Sequence, residues 1–155
     1  MKIKKLAGPV GAAAIAFGIA AATVIPASAT DNIQQFGEQA ILNEGATVTG
    51  YTVTGLAPSA DTIPYPVAGE LYEATVTVDA IAGWVTPWVP LFNARAESGQ
   101  SYRVLVNVWT PQGLSGAAVP PGGSSTGKIY FDVVGDVPNS VVYNNGDHDL
   151  LAWVP

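Results

Sequence analysis

Cysteine is absent from the chain, so no disulfide staples the fold and no thiolate can bind a metal or attack a substrate. Stability must come from a hydrophobic core, which a domain of this size supplies by burying about two-thirds of the surface its unfolded chain exposes. Histidine occurs once, as His148, too few imidazoles for a nitrogen-ligated metal centre. Basic residues are scarce too: six Lys and Arg stand against twelve Asp and Glu, a net charge of -6. Nucleic acids and anionic membrane surfaces are both gripped through many cationic contacts, so neither suits this chain as a partner.

Helical apolar patterning is also missing beyond residue 29, and what precedes it reads as an address. Lys2, Lys4 and Lys5 are followed by an apolar run from Leu6 to Ile25 and by Ala27-Ser28-Ala29. A basic segment, an apolar segment and a small-x-small exit make a secretory signal peptide over residues 1–29, with cleavage expected after Ala29. A retained membrane anchor is the competing reading. Against it, Gly8-Pro9-Val10-Gly11 interrupts the run, Pro26 ends it, and no basic stop-transfer cluster follows. Lipid attachment to an exported bacterial precursor would need a cysteine. Residues 30–155 are therefore expected to form one secreted domain with no membrane anchor. Its three basic and twelve acidic residues give a net charge of -9.

Period-two alternation organises the rest. Tyr72, Ala74, Val76, Val78 and Ala80 face one way, and Leu71, Glu73, Thr75, Thr77 and Asp79 the other, as in a strand with one buried face. Tyr102–Trp109 and Lys128–Val134 alternate similarly. Weaker strand patterns cover Phe36–Leu42, Thr47–Leu56, Val89–Ala94, Ser140–Tyr143 and Asp149–Trp153. Gly, Pro, Ser and Asn clusters separate them, and Asn145-Gly146 suits a type I′ hairpin, which needs positive φ at both central residues. About eight strands without helices predict an all-β, immunoglobulin-like sandwich of two antiparallel sheets, with a barrel as the alternative. The long Thr110–Thr126 connection, which carries no charge, reads as a crossover between sheets.

Few motifs carry chemistry. Gly122-Gly123-Ser124-Ser125-Thr126-Gly127-Lys128 fits a phosphate-loop spacing, but Ile129 stands where a Ser or Thr should hold magnesium, and a strand pattern follows where a helix should. His148 between Asp147 and Asp149 reads as a solvated turn, since the spaced ligand series of a calcium loop is missing. Gly113-Leu114-Ser115-Gly116 breaks off at Ala117, short of a nucleophile elbow. Glu70 and Glu73, three apart on a strand, point to opposite faces and so do not form an acid/base pair. No catalytic residue, metal site or cofactor is expected.

The segment Gly83-Trp84-Val85-Thr86-Pro87-Trp88-Val89-Pro90 stands out. Its two tryptophans either cover one end of the sandwich or form an exposed platform for a sugar ring or a protein, and Trp84 and Trp88 are the candidate binding residues. Trp109 and Trp153, inside strand patterns, are expected in the core or on a sheet surface.

Several stretches carry a resemblance: Tyr65-Pro66-Val67-Ala68-Gly69, Phe92-Asn93-Ala94-Arg95, Tyr102-Arg103-Val104-Leu105, Ser125 to Val133, Asn144-Asn145-Gly146 and Asp149-Leu150-Leu151. In them the chain resembles the small immunogenic antigen family secreted by mycobacteria, a family of immunoglobulin-like sandwiches filed as a domain of unknown function. The resemblance implies secretion, recognition by host immunity and no established enzymatic activity, and it supplies no catalytic residue. The chain departs from the family pattern at Thr30–Leu42 and at Trp84 and Trp88. The function expected is a non-enzymatic binding module for a host or cell-surface protein or glycan. A self-associating envelope protein and a carboxylate-dependent hydrolase are the alternatives.

Overall fold

The computed structural model describes residues 32–155, so the signal peptide and its cleavage point lie outside the described residues. Nine strands follow one another there: β1 (Ile33–Gln35), β2 (Gln39–Asn43), β3 (Val48–Pro58), β4 (Glu70–Ala82), β5 (Phe92–Ala96), β6 (Ser101–Arg103), β7 (Ser124–Val133), β8 (Pro138–Asn144) and β9 (Asp149–Val154). They form a five-stranded sheet, β1-β9-β8-β5-β6, packed on a four-stranded sheet, β2-β3-β4-β7. The result is the expected β-sandwich. Consecutive strands repeatedly change sheets, so β4 lies between β3 and β7 and β5 beside β8, as in immunoglobulin-like topologies.

β4 shows why these residues form strands. Tyr72, Ala74, Val76, Val78 and Ala80 are buried between the sheets, and the alternate residues are only half-buried. β-branched and small apolar side chains pack well on a pleated inner face. Tyr51, beside them on β3, meets Phe92, Tyr143 and Trp153 of the opposite sheet in an aromatic layer. The Phe92 and Tyr143 rings meet edge-on with centroids 4.9 Å apart, and Phe92 lies 6.4 Å from Trp153. Trp153 is fully buried, as expected, and its Nε1–H donates to the Glu38 carbonyl across 3.1 Å.

Four sequence expectations change. Phe36–Leu42 is a strand only from Gln39: residues 36–38 form a turn, with Gly37 at φ 93°, that carries the chain from β1, paired parallel with β9, into β2 of the other sheet. Tyr102–Trp109 is a strand only through Arg103. After an isolated bridge between Val104 and Phe131 the chain leaves the sheet, with Asn107 in the left-handed region at φ 62°. Trp109 is therefore not in a sheet at all and is 86% exposed. Val89–Leu91 is a 3₁₀ turn, so that strand begins at Phe92. At the β8–β9 hairpin only Gly146 takes positive φ, at 106°, so the turn is not type I′. Asn145 Oδ1 instead accepts from the backbone N–H groups of Asp147 and His148, and Asn144 Oδ1 accepts from Gly146.

The 104–123 connection runs from one sheet to the other, as its length suggested. It also covers a sheet edge. Lys128 donates its backbone N–H to Gln112 and accepts from Leu114, while Leu105 donates to Tyr130, so the outer side of β7 is paired instead of open. Gly127 permits this approach, since a Cβ there would lie 2.4 Å from Leu114 backbone atoms.

Candidate functional site

The 83–91 segment is the crossover from β4 to β5. Gly83 turns the chain at φ 73°, where a Cβ would lie 2.8 Å from the Ala46 carbonyl oxygen. Val85 then forms a two-bond bridge to Val119, and Val85 and Pro87 are buried. Their alternation with Trp84, Thr86 and Trp88 pushes both indoles outward: Trp84 is 67% and Trp88 61% exposed. Four residues apart, their Cα atoms are separated by at most about 14 Å.

Both tryptophans line one groove of about 400 Å³, where the crossover meets the β2–β3 and β8–β9 turns. Glu44, Thr47 and Asn145 add polar walls from those turns, and Tyr51 and Tyr143 supply the floor. The Tyr51 and Tyr143 hydroxyls share a hydrogen bond of 3.3 Å, with ring centroids 4.9 Å apart. Burial raises both phenols above the ordinary tyrosine value, and the neighbouring phenol and the Glu44 charge raise Tyr143 further. Both therefore stay neutral at physiological pH. Tyr51 and Tyr143 were not legible as site residues, because inward-facing tyrosines in strand patterns look like core.

The other sequence candidates do not assemble a reaction centre. His148 is exposed in the β8–β9 turn, but its neighbour Asp149 is not part of a solvated turn. Asp149 is buried and takes both arms of Arg95, at 2.6 and 2.7 Å, while Asn144 donates to it. Burial would raise its carboxyl, but the bonds from Arg95 and Asn144 more than offset this, and it is held below its usual value. Ser124 to Lys128 lies within β7, so the phosphate-loop spacing folds as a strand. Among the described residues no three His, Asp or Glu side chains are placed to hold a metal, and no helix is long and apolar enough to cross a membrane.

Glu73 belongs to a cluster that sequence reasoning missed. Lys128 Nζ lies 2.7 Å from Asp61 and 3.0 Å from Glu73, Tyr130 donates to Asp61 at 2.8 Å, and Ser59 donates to Glu73. Hydrogen bonds from Lys128 and then Tyr130 pull Asp61 down to about 2. Lys128 bridges Asp61 and Glu73, so the cluster is an ion-paired brace that ties the 59–69 loop to β4 and β7. One signal was present: with three bases among twelve acids, each base should find a carboxylate.

A model of a family described as a domain of unknown function (DUF1942) matches residues 31–153. The chain belongs to this family. The match includes β1 and β2, so the expected departure at Thr30–Leu42 does not take this segment out of the family. The immunogenic proteins MPB63 of Mycobacterium bovis and MPT63 of Mycobacterium tuberculosis are each 54% identical over 112 residues, covering 72% of this chain and 70% of theirs. The crystal structure of MPT63, described as a secreted protein, superposes with a TM-score of 0.79 at 48% identity, covering 83% of this chain and all of that one. The yjhA protein of Bacillus subtilis shares only the fold, at 19% identity and a TM-score of 0.52 over 76% of this chain and 84% of its own. The chain is thus homologous to immunogenic proteins within a family described as of unknown function.

Proposed function

We propose that this chain is a secreted, non-enzymatic binding module that holds a host or cell-surface glycan in the Trp84–Trp88 groove. The observation that carries this reading is the pair of exposed indoles on one side of a short crossover, above two neutral tyrosines. An aromatic face packs against the apolar face of a sugar ring, and hydroxyl, amide and carboxylate groups answer the ring's hydroxyls. Glu44, Thr47 and Asn145 supply those polar groups. The hydroxyl pair uses one of its two phenolic protons internally, and the other is left to offer to a ligand. The 54% identity to immunogenic proteins and the likeness to a secreted one support the extracellular setting.

Arrayed glycans probed with the purified protein test this. At least one glycan class is expected to bind, and Trp84→Ala and Trp88→Ala should each weaken it by about 2 kcal/mol, roughly thirtyfold. An array on which no glycan binds, or on which both variants bind as the parent does, contradicts the reading.

Self-association has one observation in its favour, the edge of β2, which is unpaired among the described residues, with Ile41 43% exposed. Sedimentation at several concentrations decides: the binding module sediments as a monomer throughout, whereas an envelope protein pairing along β2 dimerises as concentration rises.

A further inference from the structure

A second cavity, of about 470 Å³, opens beneath residues 105–116 and shares no lining residue with the Trp84–Trp88 groove. Its size falls in the range of pockets that bury small organic molecules. Val89, Leu105, Leu114 and Ile129 give it apolar walls. Trp109 and Val106, 86% and 43% exposed, also line it, an unusual outlay of apolar surface for a loop. Asn107, in the same lining, is the only non-glycine residue with positive φ among the described residues. Backbone held in that region costs free energy and concentrates where a site needs a particular loop shape.

The polar end of the cavity defines the chemistry of its occupant. The Thr110 hydroxyl oxygen is buried and, although close to the Tyr130 phenol, has no aligned hydrogen bond. A buried hydroxyl without a partner is uncommon and calls for one. Lys128 also lines the cavity. Its ammonium carries three protons, and Asp61 and Glu73 accept two of them, leaving one to donate. Lys128 with those two carboxylates carries a net charge of minus one, so an anionic ligand is repelled although a lysine is present.

We propose that this cavity binds a small, neutral, largely apolar molecule bearing one hydroxyl or carbonyl group, whose oxygen accepts from Lys128 and which pairs with the Thr110 hydroxyl. The site is independent of the glycan groove and stands whether or not that groove binds sugar.

The neutral fluorophore 1-N-phenylnaphthylamine is the probe, with decanol and decanoate as competitors of equal chain length. The purified protein is expected to give a saturable fluorescence rise at one probe per chain. Decanol should displace the probe, and decanoate should need at least about tenfold more, since it places a charge beside a net negative cluster. Ser115→Trp, at an exposed position on the cavity wall, should weaken the probe about tenfold by filling the space. Thr110→Val, which keeps the shape without the hydroxyl, should weaken decanol several-fold and leave the probe unchanged. Probe binding should survive Trp84→Ala/Trp88→Ala intact. Near-ultraviolet circular dichroism confirms that each variant is folded. The proposal is overturned by the absence of a saturable rise, by a rise that folded Ser115→Trp leaves unchanged, or by displacement with decanoate as effective as with decanol.

Discussion

Replacing Arg95 by methionine is expected to destabilise the protein by about 3 kcal/mol at neutral pH, read as a shift of the urea midpoint. Arg95 meets Asp149 through two parallel hydrogen bonds, and their side chains are only 16% and 3% exposed. The forked geometry suits guanidinium and carboxylate, and water screens the pair little. Removing the arginine leaves a buried carboxylate with only Asn144 beside it. Because domains of this kind are stable by about 5–15 kcal/mol, the loss is a large fraction of the total.

The same variant carries a pH signature. The Asp149 carboxyl titrates below its ordinary value when paired, so its contribution is present above the unfolded-state value and is lost as pH falls through the folded one. In Arg95→Met the burial that raises the carboxyl is no longer opposed by the guanidinium, so the folded state takes up a proton more readily than the unfolded chain. The gap between parent and variant should therefore narrow as pH drops from 7 towards 4. The double variant Arg95→Met/Asp149→Leu, which removes both charges, should recover most of the loss. A gap that stays constant with pH would show that Arg95 acts by packing alone.

Trp153→Ala is expected to cost about 3–5 kcal/mol, the usual range for truncating a large buried aromatic. Trp153 has no exposed surface, packs on Phe92 and fastens the Glu38 carbonyl at the β1–β2 turn. The variant loses a ring and leaves a carbonyl short of a donor, and those two effects add. Trp153→Phe keeps most of the volume and should cost much less. Thermal denaturation of the three proteins gives the order parent, phenylalanine, alanine, with the last far below the others. Near-equal midpoints for parent and alanine variant would mean that this corner of the core collapses onto the space.

Strands were legible where one face is buried and one is wet. β4 alternates along its length for that reason, whereas Ser140–Tyr143 in β8 is buried throughout and shows no period. Val104, Val106 and Val108 alternate like a strand, yet the chain beyond Arg103 has only an isolated bridge and a left-handed Asn107, so pattern without a partner strand did not make a sheet. Gly37 within Phe36–Leu42 was the visible sign of a break. The candidate groove was half legible: two tryptophans beside prolines stood out, but Pro87 hid the alternation that turns both outward. Tyr51 and Tyr143 lie 92 residues apart, and only the fold brings their hydroxyls together. Lys128 was bound to find an acid among twelve, but which ones depended on how β4, β7 and the 59–69 loop pack.

The central claim is that Trp84 and Trp88 form the recognition surface. The chain has four tryptophans, hence four indole N–H signals in a nitrogen–proton correlation spectrum, assignable by single substitutions. On titration with the glycan that the array selects, the Trp84 and Trp88 signals should move together and saturate at one equivalent, while those of Trp109 and Trp153 stay in place. Movement confined to Trp109, or none at Trp84 and Trp88 under saturating glycan, contradicts the account.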